Sequence, residues 1–98
     1  MPWVLTVIVL TLNSIMKIKL KLYATLSNYL PAEAVNHATE VEIPTSATAS
    51  QILDNFKVPR QMAHLVLLNG VYLEPTQRDT PTFKDGDTLA VWPPVAGG

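Results

Sequence analysis

The residues best suited to chemistry lie at the carboxyl end of the chain, which closes with Pro93, Pro94, Val95, Ala96, Gly97 and Gly98. Two successive prolines lack amide donors and favour an extended backbone, so we expect this tail to leave the last strand of the fold. Fully extended, a tail of this length spans about 20 Å. Because glycine has no side chain, the end of such a tail can enter a narrow channel in a partner.

The carboxylate of Gly98 is the candidate reactive group. A carboxylate is ionised at neutral pH and is a poor electrophile until it is activated. Attack of its oxygen on the α-phosphate of ATP would give an acyl adenylate, which a sulfur or nitrogen nucleophile can open. We therefore predict that Gly97 and Gly98 form a reactive end, with ATP used by an activating partner. The alternative is an idle, frayed end or a cloning remnant.

The composition argues against most other chemistry. The chain has 98 residues, no cysteine, two histidines (His37 and His64) and a formal net charge of −1. Thiol nucleophiles are therefore absent, two histidines cannot complete a zinc site, and no basic stripe suits nucleic acid or an acidic membrane. Asp85 and Asp87 flank Gly86, but a calcium loop needs several more oxygen ligands, so we predict a plain turn and no bound metal. We also expect no bound cofactor and no self-sufficient catalyst.

Two alternating segments open the domain that must position this tail. Lys17–Tyr23 alternates lysines with apolar residues, which predicts a half-buried strand with a solvated lysine face. Apolar residues at helical spacing then predict one or two helical turns before Pro31, and residues 32–39 are expected to form a loop. Glu40–Ile43 predicts a second strand, closed by Pro44, with exposed and unpaired carboxylates.

One main helix is predicted over about residues 48–57. Thr48 and Gln51 have the spacing of a capping box, and Pro59 is expected to end the helix. The helix carries an apolar stripe that needs a sheet to cover, namely Ala49, Ile52, Leu53 and Phe56.

Three further strands are predicted after the helix. His64–Leu68 and Val71–Leu73 flank Asn69-Gly70, a strong hairpin signal because both turn positions must accept a positive φ. Lys84–Asp87 is expected to form a turn before the last strand, Thr88–Trp92. One helix against a mixed sheet makes this an α+β domain.

Residues 1–15 are apolar and carry no charge. They are too few for a transmembrane helix, which needs about 20 apolar residues, and they lack the positive leader of a signal peptide. They could add a strand at a sheet edge or to a partner, or Met16 could be the true start of the protein. We divide the chain into this extension, a domain over residues 16–92 and a flexible tail over residues 93–98.

From Met16 to Gly98 the chain resembles the small sulfur-carrier proteins of the ubiquitin-like superfamily, and among them the small subunits of molybdopterin synthases. The terminal hexapeptide after an aromatic residue is the most specific feature of this resemblance. The others are the first strand, the helix with its Thr48 cap, and the segments Val66–Gly70 and Lys84–Trp92. The resemblance implies the β-grasp fold, in which the first and last strands lie side by side at the centre of the sheet.

The resemblance also implies a cycle of sulfur transfer in the cytoplasm. An adenylyltransferase of the ubiquitin-activating type would adenylate Gly98, and a persulfide donor would convert the adenylate to a thiocarboxylate. The large subunit of molybdopterin synthase would then accept the tail, and sulfur would pass to a pterin precursor. Gly97 and Gly98 match the family's diglycine, so this chain would be a co-substrate without catalytic side chains of its own. The candidate partner-binding residues are Trp92, Pro93, Pro94, Val95 and Ala96, and we expect Val91, Trp92 and Val95 to pack near the tail's exit.

Other functions use the same tail. A sulfur carrier for thiamine, cysteine or tRNA thiolation would need only a different acceptor enzyme, although Pro93 and Pro94 favour the molybdopterin pathway. A ubiquitin-like protein modifier would instead join Gly98 to lysines of target proteins. A ubiquitin-like binding module would leave the tail idle.

Overall fold

The computed structural model describes residues 15–95, and a strand with strict alternation forms the centre of this part of the chain. In β1 (Ile15–Leu22) the residues Met16, Ile18, Leu20 and Leu22 are buried, whereas Lys17 and Lys19 are exposed. This is the pattern predicted from the period of two, since side chains alternate between the two faces of a strand. The strand begins two residues before the predicted start and ends before Tyr23.

The remaining regular elements follow in the predicted order. They are β2 (Ala38–Pro44), α1 (Ala49–Asn55), β3 (Leu65–Leu68), β4 (Val71–Tyr72) and β5 (Thr88–Trp92), with short 3₁₀ helices at Ala24–Tyr29, Arg60–Met62 and Pro75–Gln77. The first of these 3₁₀ helices confirms the helical turns expected before Pro31, and its Leu26 is buried.

One mixed sheet contains the five strands in the order β2-β1-β5-β3-β4. β1 pairs in parallel with β5, with Leu20 opposite Leu89 and Leu22 opposite Val91, and the other neighbours are antiparallel. The predicted α+β class and the central placement of the first and last strands are therefore confirmed. Because β5 lies between β1 and β3, its backbone is held on both sides through Val91, and Trp92 is paired with Leu65 of β3.

The helix α1 begins as predicted and ends earlier than predicted. The Thr48 hydroxyl accepts a hydrogen bond from the Gln51 amide at 3.1 Å, and the Gln51 side chain accepts one from the Thr48 amide at 3.0 Å, which completes the capping box. The helix ends at Asn55, and Lys57 has a left-handed φ of 65°. The left-handed residue turns the chain before Pro59 is reached, so the proline is not what ends the helix.

The boundaries of the later strands β2, β3 and β4 also differ from the prediction by one or two residues. β2 begins at Ala38, so the end of the expected loop over residues 32–39 belongs to the sheet, where Ala38 is opposite Lys21. The β3–β4 hairpin has the predicted Asn69-Gly70 turn, with φ of 51° and 84° at the two positions. β4 then pairs over two residues only.

The core lies between α1 and the face of the sheet that carries the buried residues of β1. Ile52 and Leu53 of α1 pack there with Leu89 and Val91 of β5. The predicted extension over residues 1–15 lies outside the described residues, except for Ile15, which opens β1. Within residues 15–95 no helix has the length and apolar character that crossing a membrane requires.

Candidate functional site

The tail leaves the sheet where β5 ends. The Trp92 carbonyl accepts a hydrogen bond from the His64 amide at 3.0 Å, and the next two residues are prolines without amide donors. Pro93 is half-buried and Pro94 is exposed. The described chain stops at Val95, so the predicted reactive residues Gly97 and Gly98, and Ala96 before them, lie outside it and their role stays a prediction.

An aromatic stack borders this exit. The ring centroids of Trp92 and Tyr23 are 4.4 Å apart, with an interplanar angle of 7°. The ring centroids of Tyr23 and His37 are 5.3 Å apart. The Tyr23 amide donates to the Val91 carbonyl at 3.1 Å, which holds Tyr23 beside the last residues of β5. Trp92 is half-buried and lies at the rim of the core, as expected. That Tyr23 stacks on it could not be predicted locally, because the contact depends on the register between β1 and β5.

A mostly apolar groove lies along the start of the tail. Its volume is about 590 Å³, and its lining residues are Ala24, Thr25, His64, Leu65, Trp92, Pro93, Pro94 and Val95. Val91 is fully buried in the core beneath it. Val95 lines this groove, so it lies near the exit, and it is 75% exposed. Its role as a partner-binding residue stays a prediction. Val95 follows Pro94 outside the sheet, and within residues 15–95 no strand or helix covers the valine side chain.

A second apolar surface is continuous with this groove. On the sheet face opposite α1, Leu65 is paired with Trp92, and Leu67 lies between Ala90 and Tyr72. We call these five residues the outer patch. Their neighbours along the strands, such as Val66 and Val91, are buried on the helix side. Leu65 is 37% and Tyr72 is 44% exposed, so the outer patch presents apolar and aromatic side chains to solvent beside the tail.

The other end of the same face is charged. Lys17 lies opposite Glu42 and Lys19 lies opposite Glu40 in the β1–β2 register. All four side chains are exposed, as predicted, and in the described chain none of them forms an ion pair. Lys17 and Lys19 thus have acidic neighbours, whereas Lys21 lies between Ala38 and Ala90. The apolar end is the surface suited to a partner's apolar side chains.

The candidate turn carboxylates have structural partners. Asp85 accepts a hydrogen bond from the Lys17 amide at 2.8 Å, and Asp87 accepts from the Lys84 amide at 2.8 Å and from the Asn69 side chain at 2.9 Å. These bonds hold the turn before β5 and confirm that the two aspartates act in the turn. Among residues 15–95 no group of three or more histidine or acidic side chains is placed to hold a metal ion.

One exposed acidic group with a shifted pKa lies on the helix side of the sheet. The pKa of Asp54 is lowered by a hydrogen bond from Arg60, and this exposed carboxylate lies on α1, across the sheet from the outer patch. The site is thus a rigid strand end with an aromatic rim, an apolar groove and the outer patch. Such a site can present a chain end to another protein and can hold a partner's apolar side chains.

Solved structures with the same arrangement identify the fold class. The Haloferax volcanii HVO 2177 protein matches with a TM-score of 0.69 at 21% identity, over 87% of this chain and 89% of that chain. Small archaeal modifier protein 1 from Haloferax volcanii matches with a TM-score of 0.57 at 23% identity, over 82% of this chain and 99% of that chain. A putative molybdopterin converting factor, subunit 1, from Pyrococcus furiosus matches with a TM-score of 0.54 at 23% identity, over 82% and 99% respectively. The chain has the ubiquitin-like β-grasp fold.

Sequence comparisons define the family. Residues 28–98 match the ThiS family, so the chain belongs to it. It is 36% identical over 64 residues to the molybdopterin synthase sulfur carrier subunit of Drosophila erecta, covering 61% of this chain and 71% of that protein. The protein of the same name from Drosophila melanogaster is 36% identical over 62 residues, covering 59% and 69% respectively. The resemblance to the small sulfur carriers is confirmed.

Proposed function

We propose that this chain is the sulfur carrier subunit of a molybdopterin synthase and that its Gly98 carboxylate carries the sulfur as a thiocarboxylate. Membership of the ThiS family and the names of the Drosophila relatives support the carrier class and the pathway. The observation that carries the proposal is the exit of the chain. A strand held on both sides ends at Trp92 and passes directly into prolines beside an exposed apolar surface.

Activation is the first chemical step. A carboxylate oxygen of Gly98 attacks the α-phosphorus of ATP in an adenylyltransferase of the ubiquitin-activating type, and pyrophosphate leaves. A donor persulfide then attacks the acyl carbon, and AMP leaves. A second thiol reduces the resulting acyl disulfide, which gives the thiocarboxylate and a disulfide on the donor side. Because activation consumes ATP, we expect the cycle to run in the cytoplasm.

Delivery of the sulfur is the second step. The thiocarboxylate enters the active site of the large synthase subunit, and its sulfur attacks an oxygen-bearing carbon of the pterin precursor. The new carbon–sulfur bond replaces a carbon–oxygen bond of that carbon, and the displaced oxygen is protonated and leaves as water. Water then cleaves the thioester link, so that sulfur stays on the pterin and the carboxylate returns for another cycle. The chain acts as a co-substrate, and the enzymes on either side supply the electrostatic stabilisation that each step requires.

The outer patch and the groove give both partners a surface to hold. Tyr72 and Trp92 are aromatic, and Leu65 belongs to both the outer patch and the groove. Aromatic and apolar side chains of this kind anchor protein interfaces when a partner covers them. We propose that the partners bind this surface and that the tail continues from its edge into their active sites.

Intact-mass spectrometry tests the proposal. The full chain is incubated with its cognate activating enzyme, ATP and a persulfide donor, and we expect a mass increase equal to the replacement of one oxygen by sulfur. The loaded carrier, mixed with the large subunit and the pterin precursor, should return to its original mass as sulfur enters the pterin. A chain lacking Gly98 is the control and should gain no sulfur.

The same experiment separates the alternatives. A chain that gains sulfur but passes it only to a thiamine, cysteine or tRNA-thiolating enzyme would place the carrier in another pathway. Higher-mass conjugates joined through Gly98 to lysines would identify a protein modifier. A chain that is never adenylated would contradict the carrier proposal altogether.

A further inference from the structure

Arg78 lies in the segment after β4 and binds backbone carbonyls. Its Nε donates to the Leu73 carbonyl at 3.0 Å, its Nη1 to the Ala63 carbonyl at 2.9 Å, and its Nη2 to the His64 carbonyl at 3.4 Å. These carbonyls belong to the segment before β3 and to the residue after β4, so one guanidinium joins both ends of the hairpin. The planar fork of arginine suits this task, because its donors point in fixed directions toward several acceptors at once.

The segment that Arg78 holds is also the one that holds the end of β5. The His64 carbonyl accepts from Arg78, and the His64 amide donates to the Trp92 carbonyl at 3.0 Å. The prolines after Trp92 have no amide donor, so this bond is the final backbone hydrogen bond of β5 before the tail. A single residue, His64, thus connects Arg78 to the end of β5, where the tail leaves the sheet.

Arg78 also touches the outer patch. Its Nη2 lies 3.5 Å from the Tyr72 hydroxyl, and its guanidinium carbon lies 5.8 Å from the centroid of the Tyr72 ring. A cation at this distance from an aromatic face is attracted to it. β4 pairs over two residues only, so Tyr72 gains a further anchor from this contact.

We propose that Arg78 is a positioning residue for the sulfur carrier: its guanidinium fixes the exit direction of the tail through His64 and fixes the Tyr72 ring of the docking surface. The effect on docking rests on the proposed function, whereas the effect on His64 and Trp92 does not. Arg78 touches neither the reacting carboxylate nor a substrate, and it acts through the residues it holds.

Amide hydrogen exchange of the full chain tests the structural half. Arg78→Met keeps an apolar stem of similar length and removes every donor, while the Arg78 backbone carbonyl still accepts from the Ser50 amide. We expect exchange at the His64 amide to become roughly tenfold faster, relative to the Ile52 amide in α1, as expected for loss of hydrogen bonds to a charged group. Equal acceleration at both amides would indicate general destabilisation and would overturn the proposal, as would unchanged exchange at His64.

Arg78→Lys keeps the charge and most of the stem, and it serves if the methionine variant fails to fold. A lysine ammonium lacks the planar fork, so we expect it to restore only part of the His64 protection. Full restoration would overturn the role given to the fork. Arg60→Met is the matched control. Arg60 forms exposed ion pairs with Asp54 and Asp79, so we expect this variant to leave His64 protection unchanged.

Kinetics with the cognate activating enzyme test the functional half. For Arg78→Met we expect the KM for the carrier to rise roughly fivefold to tenfold with kcat changed less than about twofold, since the reacting carboxylate is unaltered once it is bound. If the variant has altered His64 exchange but a wild-type KM, the inference about Arg78 is overturned and the proposed function is not. A wild-type chain that no such enzyme activates would instead overturn the proposed function and leave the exchange result standing.

Discussion

Truncation of Leu53 tests the packing of α1 that supports the central strands. Leu53 is 2% exposed and belongs to the core. Leu53→Ala removes three carbons, and at about 0.8 kcal/mol for each buried carbon the lost transfer free energy is about 2.4 kcal/mol. A cavity that the neighbours fill only in part adds to this, so we expect the free energy of unfolding to fall by about 3–4 kcal/mol.

Leu65→Ala is the matched control, because it removes the same carbons from the outer patch. Leu65 is 37% exposed and solvent can fill the space left behind. We expect a stability loss of about 1.5 kcal/mol at most, since only part of the side chain is withdrawn from water. The same truncation should weaken binding to the large synthase subunit roughly fivefold to tenfold, because it removes an apolar contact at the centre of the proposed docking surface.

Thermal denaturation and binding calorimetry measure the two effects separately. In a domain of this size a loss of about 3 kcal/mol lowers the melting temperature by about 12–24 °C, so Leu53→Ala should be distinct from both the wild type and Leu65→Ala. Below its transition, Leu53→Ala should bind the large subunit as the wild type does. Equal melting temperatures for the two variants would refute the burial of Leu53, and unchanged affinity in Leu65→Ala would refute the outer patch as a docking surface.

Three further predictions concern the tail, the helix cap and an ion pair. Deleting Gly98 should abolish adenylation and Gly97→Val should slow it by steric clash, both with a wild-type melting curve, and an altered curve would contradict a tail outside the core. Thr48→Ala should lower the free energy of unfolding in urea by about 1–2 kcal/mol and Thr48→Ser should not, because serine keeps the capping oxygen. The pKa of Asp54 is lowered by the hydrogen bond from Arg60, so this carboxylate stabilises the fold above its unfolded pKa of about 3.9, and the contribution is lost as pH falls through the lower, folded value. The Asp54–Arg60 pair is exposed, so its contribution to stability is small. Arg60→Met should remove this pH-dependent contribution. Urea midpoints that are identical for the wild type and the variant at every pH from 7 to 3 would contradict the prediction.

Local signals in the sequence were sufficient where neighbouring residues decide the structure. The alternation of Lys17–Leu22 specifies one buried face, and a strand shifted by one residue would bury its lysines. Asn69-Gly70 specifies its turn because both positions have positive φ. The Thr48–Gln51 capping box is likewise a contact within one turn of chain.

Features that depend on distant pairing could not be predicted in this way. Leu65–Leu68 is uniformly apolar, and only its register with β5 determines which of its side chains belong to the outer patch. Ala38 joins β2 because Lys21 lies opposite, although the local sequence resembles a loop. The role of Arg78 has no signature in the sequence, because its acceptors are carbonyls and no pattern of residue types indicates where backbone oxygens converge.

The tail and the sheet have different roles in the proposed function: the tail carries the reacting carboxylate, and the sheet carries the side chains that a partner can recognise. Gly97 and Gly98 offer a partner only backbone groups and a carboxylate, and every protein that ends in diglycine offers the same groups. Under the proposed function, an activating enzyme or a synthase subunit therefore cannot distinguish one carrier from another at the diglycine end. Specificity must come from side chains at a fixed position relative to the tail, and in the described chain Trp92, Leu65 and Tyr72 have that position. The pairing of β5 with its neighbours thus matters to the proposed chemistry as much as the tail itself. A partner that binds the outer patch can reach the tail only if the sheet holds the start of the tail at a fixed position beside that patch.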